Sequence, residues 1–227
     1  MDQTPPAVAP ADIQTLFTDP GGDFRLARWG RPIAPVVFGV DDATLAVIKG
    51  AFQAVTGLAG HPMADTDPEL GGNCLLFFFR DWAELPEVPG MDRLLPDLGE
   101  TVARLARTGA NQYRVFRFDD DGAIKAVFVF LRMDAALSEM PAETLALSQV
   151  VQAMLTWSGS AFRDRSPLAL AAGQVILRPE IAGVIRAAYD PVLPVSARDP
   201  GVALRLCARM TVREVGDDRQ IPLGQGL

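Results

Sequence analysis

The sequence predicts an α+β domain, a small mixed sheet with a hairpin, flanked by helices and followed by a helical C-terminal part. Three observations carry this expectation. Two short apolar runs, 33–40 and 73–79, have strand length and are separated by a stretch of helical periodicity. The pair Asp121-Gly122 stands between two further apolar runs, the signature of a hairpin. From Pro141 onward helical spacing dominates.

Residues 1–12 are rich in Pro and Ala without periodicity and read as a flexible arm. Residues 216–227 read as a frayed tail. Nothing between them resembles a linker, so 13–215 is expected to be one domain. The first apolar run lies between prolines and Asp41-Asp42 and suits a buried strand. Asp42 is placed to cap a helix that carries Leu45, Ile48, Phe52 and Val55 inward and stops at Gly57. The loop 60–72, with Asp65, Asp67 and Glu69, reads as a solvated acidic loop. The run 73–79 is apolar at both parities, as in a central strand. Residues 82–96 are Pro-rich and irregular. Leu98, Val102 and Leu105 mark a helix closing near Gly109. The turn 119–122 is expected to place both central residues at positive φ. Pro141 opens a long helix with Leu147, Val150, Val151, Met154 and Leu155 on one face and Gly159 at its end. Arg178-Pro179-Glu180 opens another, with Ile181, Val184 and Ile185 inward. A last helix begins at Pro200 and carries Val202, Leu206 and Met210.

Composition narrows the function. The net charge of −7 argues against a nucleic-acid footprint and against an anionic membrane surface. No apolar run approaches the roughly 20 residues that span a bilayer. The N-terminus lacks a basic and then apolar leader pattern, which as printed points to the cytoplasm. Cys74 and Cys207 are either two buried thiols or one long-range disulfide. His61, the one histidine in 227 residues, sits in a loop-like stretch and reads as exposed. With one histidine, no zinc site built on two or three can form within the chain. A Ser-His or Cys-His pair would have to use His61, and no Gly-x-Ser-x-Gly elbow occurs. No cofactor and no catalytic residue are assigned.

Three strings carry a resemblance. They are Leu147-Ser148-Gln149-Val150-Val151-Gln152, then Ser160-Ala161-Phe162-Arg163-Asp164, then Ala188-Tyr189-Asp190-Pro191. Together they resemble an uncharacterised family of exported bacterial proteins, mostly alphaproteobacterial. The order of elements over about 24–210 also resembles a zincin, the metalloprotease fold whose active helix follows an edge hairpin. The resemblance implies a periplasmic or tethered location. It also locates the departures. Ser148 and Gln149 stand where the family has two glutamates, Gln152 matches its glutamine, Arg163 replaces an asparagine, and Val192-Leu193 replaces Arg-Leu. Laid on the zincin pattern, Ser148 and Gln152 take two histidine positions, Gln149 the general base and Ser158 a third histidine. None of these is a strong zinc ligand, and an amide does not accept a proton at neutral pH.

The expectation is therefore a degenerate zincin-like domain that has lost its metal and binds a peptide or protein. Its ligand groove would involve Ser148, Gln149, Gln152, Asp164, Tyr189 and Asp190. The plainer reading of the first three is a polar stripe on an amphipathic helix, and of the last three loop anchoring. Two further readings stay open: a hydrolase using Asp164 and Asp190 as carboxylates, and a purely structural envelope protein. Oligomeric state is left open.

Overall fold

The computed structural model describes residues 8–217, with side chains to residue 211. A four-stranded mixed sheet forms its centre, in the order β2-β3-β5-β4. Strand β2 (Pro35–Phe38) runs parallel to β3 (Cys74–Phe79), and β3 runs parallel to β5 (Ile124–Arg132). The edge strand β4 (Gln112–Phe118) pairs antiparallel with β5, with an irregularity at Arg117/Phe118. The domain is α+β, as the sequence predicts, and 73–79 is a central strand.

Alternation along the strands gives the sheet two apolar faces. Cys74, Leu76, Val127, Val129 and Leu131 join the larger core on one face. Phe77, Phe79, Ala126, Phe128 and Phe130 join the smaller core on the other. The larger core takes α2 (Asp42–Ala59) and α6 (Ala142–Met154), which pack against each other. The smaller is closed by a 3₁₀ turn (Trp82–Glu87), α3 (Met91–Leu94) and α4 (Leu98–Arg107). The stretch 82–96, expected to be irregular, is thus largely short helix.

Helix ends differ instructively from expectation. Asp41, not Asp42, caps α2, its carboxylate accepting the Thr44 N–H at 2.7 Å. Gly57 does not stop that helix. Gly60 does, at φ +63°, with its N–H on the Gly57 carbonyl and that of His61 on Thr56. These are the paired bonds of a Schellman motif, which need a left-handed residue that Gly57 does not supply. Helix α6 ends at Met154 rather than near Gly159, because side chains take its last carbonyls. Trp157 Nε1 donates to Val151, Trp29 Nε1 to Ala153 and the Tyr189 hydroxyl to Met154. The chain then turns extended at Leu155, which bridges Arg28 beside the short strand β1 (Leu26–Ala27).

The hairpin turn between β4 and β5 also differs. Only Gly122 has positive φ; Asp121 does not. The Asp119 carboxylate accepts the N–H groups of Asp121 and Ala123, and Gly122 N–H bonds the Asp119 carbonyl. This is a type I turn followed by a left-handed glycine, the three-residue alternative to the expected two-residue loop.

The C-terminal part contains α7 (Pro179–Ala188), a two-residue strand β8 (Ser196–Ala197) paired with β1, and α8 (Val202–Asp217). Helix α7 packs on α2 and α8, and α8 packs on α1 (Pro10–Phe17). Ile13 and Phe17 of α1 are buried, so ordered structure begins inside the stretch read as an arm. Residues 1–7 and 218–227 lie outside the described residues, as does most of the expected tail. Among the elements the sequence did not suggest is a separate hairpin of β6 (Leu168–Ala171) and β7 (Gln174–Leu177). The four-residue α5 (Ala135–Ser138) completes the fold.

Candidate functional site

The polar positions of α6 divide between two directions. Gln149 faces the sheet and is 1% exposed. Its Nε2 donates to Gln112 Oε1 at 3.1 Å, and its Oε1 accepts from Arg114 Nη2. Gln112 and Arg114, two residues apart on β4, share the face that looks at α6. Arg114 also reaches Gln112 Oε1 at 3.1 Å. Both acceptors of this guanidinium are thus neutral amide oxygens. Among the described residues no carboxylate lies within 4 Å of it, and its buried Nε has no partner. Burial draws the Arg114 pKa down to about 10, still well above neutrality. Burial pushes the neighbouring Cys74 thiol up to about 12, so it stays protonated at neutral pH.

Ser148 and Gln152 form the other direction. One helical turn apart, they bond each other, Gln152 Nε2 donating to Ser148 Oγ at 3.0 Å and to its carbonyl at 3.2 Å. Ser158 bonds Ser160 Oγ at 2.9 Å and the Leu16 carbonyl through its N–H, and no hydrogen bond joins it to Ser148 or Gln152. Among the described residues no group of three or more His, Cys, Asp or Glu is placed to hold a metal ion.

Tyr189 and Asp190 close α7. The Tyr189 hydroxyl donates to Met154 at 2.8 Å and accepts the Trp29 N–H at 3.5 Å, and burial raises its pKa far above the usual phenol range. Asp190, 2% exposed, accepts the Val192 N–H at 3.0 Å and pairs with Arg209 of α8. Asp164 is exposed in the loop after α6. Of the six residues expected around a groove, the structure joins Ser148 to Gln152, brings Gln149 to β4, and uses Tyr189 and Asp190 to fasten helices. No hydrogen bond or ion pair connects Asp164 to Asp190.

His61 is half-buried rather than exposed, because the Schellman turn of α2 aims it inward. Its Nε2 lies 2.8 Å from the Arg31 carbonyl, and its ring meets Tyr189 edge-on at 5.0 Å. Burial lowers its pKa, the Arg31 carbonyl opposes that shift, and the Arg28 charge adds to it. The acidic loop is not wholly solvated either. Asp67 is 5% exposed and accepts from the N–H groups of Glu69 and Leu70, from Asn73 Nδ2 and from Arg31. Cys74 and Cys207 are both free thiols.

Two concavities accompany this interior. A cavity of about 340 Å³ lies at the C-terminal ends of the parallel strands, walled by Gly39, Asp41, Thr44, Met133, Ser138 and Met140. Open α/β sheets bind ligands in such crevices. Here Asp41 already occupies the donor end of α2. A larger groove, about 750 Å³, lies on the smaller-core face of the sheet, between the ends of β2 and β3 and the segment 84–94. Its floor is the stacked aromatic row Phe38, Phe77 and Phe79, and its wall Val88, Pro89 and Met91.

Sequence reasoning missed Arg114 and this groove. The signal for Arg114 was present: Gln112, Arg114, Phe116 and Phe118 alternate in one strand, which sends the arginine to the same face as two aromatic rings.

No family model matches the chain, and neither a curated protein nor a solved structure does. Among the described residues no helix is long and apolar enough to cross a membrane.

Proposed function

We propose that the chain is a non-catalytic, zincin-like domain, exported by its bacterial host, that binds a peptide or protein partner. The observation that carries this reading is the Gln112–Arg114–Gln149 cluster between the edge strand β4 and α6. The helix position that would hold a general base carries an amide, and that amide is committed to a guanidinium. Its two neighbours at metal-ligand spacing, Ser148 and Gln152, satisfy each other. A cation held only by amide oxygens retains its attraction for a carboxylate. β4 has no strand beyond it among the described residues, so an extended peptide finds backbone donors and acceptors beside that charge.

Two measurements on the full chain test the reading. Equilibration with excess zinc followed by elemental analysis is expected to leave less than stoichiometric metal, with no cleavage of a mixed peptide substrate. An array of extended peptides with acidic side chains is expected to contain binders that lose about tenfold or more in affinity to Arg114→Met, as for loss of a charged partner. Stoichiometric zinc together with peptide-bond cleavage would overturn the proposal. So would a peptide array without binders.

A further inference from the structure

The hairpin of β6 and β7 has an unusual surface. Leu168 pairs with Leu177, and Leu170 with Val175. Alternation places these four side chains on one face. At the base Leu168 is buried, whereas at the tip Leu170 is 74% exposed and Val175 40%. Its other face carries Ile176, 37% exposed. No charged residue occurs from Ser166 to Leu177, and arginines stand on both sides, Arg165 and Arg178. Arg165 holds Glu180 and is still 66% exposed. A two-stranded ribbon is marginal in water by itself, and among the described residues no strand pairs with either of its outer edges.

The groove at the ends of β2 and β3 has the complementary character. Its floor is aromatic and its outermost ring, Phe38, is 45% exposed. Its rim carries Glu84 and Glu87. Asp81 and Asp92 flank them, and no cation occurs between 81 and 92. Among the described residues no strand pairs with the outer edge of β2, which has four residues, the same length as β6 and β7.

We propose that the hairpin of one copy of this chain docks in the groove of a second copy, by a reciprocal two-fold exchange. Leu170 and Val175 cover Phe38 and Phe77. A hairpin edge extends the sheet at β2, and the flanking arginines meet the acidic rim. At net charge −7 two copies repel over most of their surfaces. The basic flank of the hairpin against the acidic rim is an approach where the local charges are opposite. A reciprocal contact is closed, so it yields a dimer rather than a filament. The contact is separate from β4 and α6, and its failure leaves the proposed peptide site untouched.

Sedimentation velocity of the full chain over a concentration series is expected to show a monomer–dimer equilibrium. Leu170→Asp and Phe38→Asp alter exposed positions and are expected to keep the circular dichroism spectrum and melting temperature. Each is expected to weaken the dimer about tenfold or more, because an unpaired charge is placed in a dry contact. Mixing the two variants is expected to restore intermediate association. The Leu170→Asp copy retains an intact groove and the Phe38→Asp copy an intact hairpin, so a mixed pair keeps one native contact. A chain that stays monomeric at all concentrations overturns the proposal. A dimer indifferent to both folded variants, or a mixture no stronger than either variant alone, does so too.

Discussion

His61 shows how much a single residue's setting depends on bonds far from it in sequence. Its own neighbours, Gly60 and Pro62, suggest a solvent-facing loop. Its place is instead fixed by the α2 terminus, whose left-handed glycine turns the chain back under the helix. Burial then lowers the pKa, with the Arg28 charge adding to the effect against the opposing Arg31 carbonyl. A depressed folded-state pKa means that the unfolded chain takes up the proton first as pH falls. The stability involved is complete above the ordinary histidine value near 6.5 and is lost as pH drops through the folded pKa. Proton NMR of the single imidazole is expected to titrate below 6.5, and His61→Gln to flatten the dependence of stability on pH in that window. A titration at or above 6.5 refutes the assigned environment. Arg114 teaches the same lesson in reverse. Strand alternation alone turns it toward the helices, but its two amide partners include Gln149, 35 positions away.

Among the elements, sheet strands and helix faces were legible because apolar periodicity is a local signal, and ends were less so because termini answer to tertiary partners. α6 is the clearest case. Its pattern runs on through Leu155, and Gly159 is the first residue that local rules identify as a stop. The helix stops four residues after Val150 because Trp157, Trp29 and Tyr189 take carbonyls that would otherwise lack partners. The β6–β7 hairpin escaped for another reason. Its turn places Ala172 at φ 49° and Gly173 at φ 78°, and alanine is an uncommon occupant of that conformation, so the usual Asn-Gly or Asp-Gly marker is missing. Tyr189→Phe tests the account of the α6 terminus. It leaves the buried Met154 carbonyl and Trp29 N–H without their shared partner. The expected cost is about 1–3 kcal/mol in urea denaturation, the range for unmade buried hydrogen bonds. A variant as stable as the parent would mean that another interaction sets the helix length.

For the molecule as a whole, the two cores are not independent, because they share backbone. Leu76 and Phe77 are adjacent on β3 yet belong to opposite cores, and Val129 and Phe130 do the same on β5. Melting one layer frees the strands that hold the other. The larger core also draws in α1 and α8 from the two ends of the described chain, with Phe17 stacked on Trp157 at 5.1 Å. The three tryptophans divide usefully between the layers. Trp29 is buried in the larger core and Trp157 packs against it, while Trp82 is buried in the smaller, its indole N–H on the Ala110 carbonyl at 2.7 Å. A Trp82→Phe chain therefore reports the larger layer by fluorescence, and a Trp29→Phe/Trp157→Phe chain reports the smaller. In each variant the fluorescence transition in urea is expected to coincide with that variant's own far-ultraviolet circular dichroism, as a single cooperative unit requires. Trp82 fluorescence changing at lower urea than the dichroism of the same chain would mean that the 3₁₀ turn, α3 and α4 come away first. The layers would then be separate folding units, and the shared strands would be too weak a coupling to make residues 13–215 one domain.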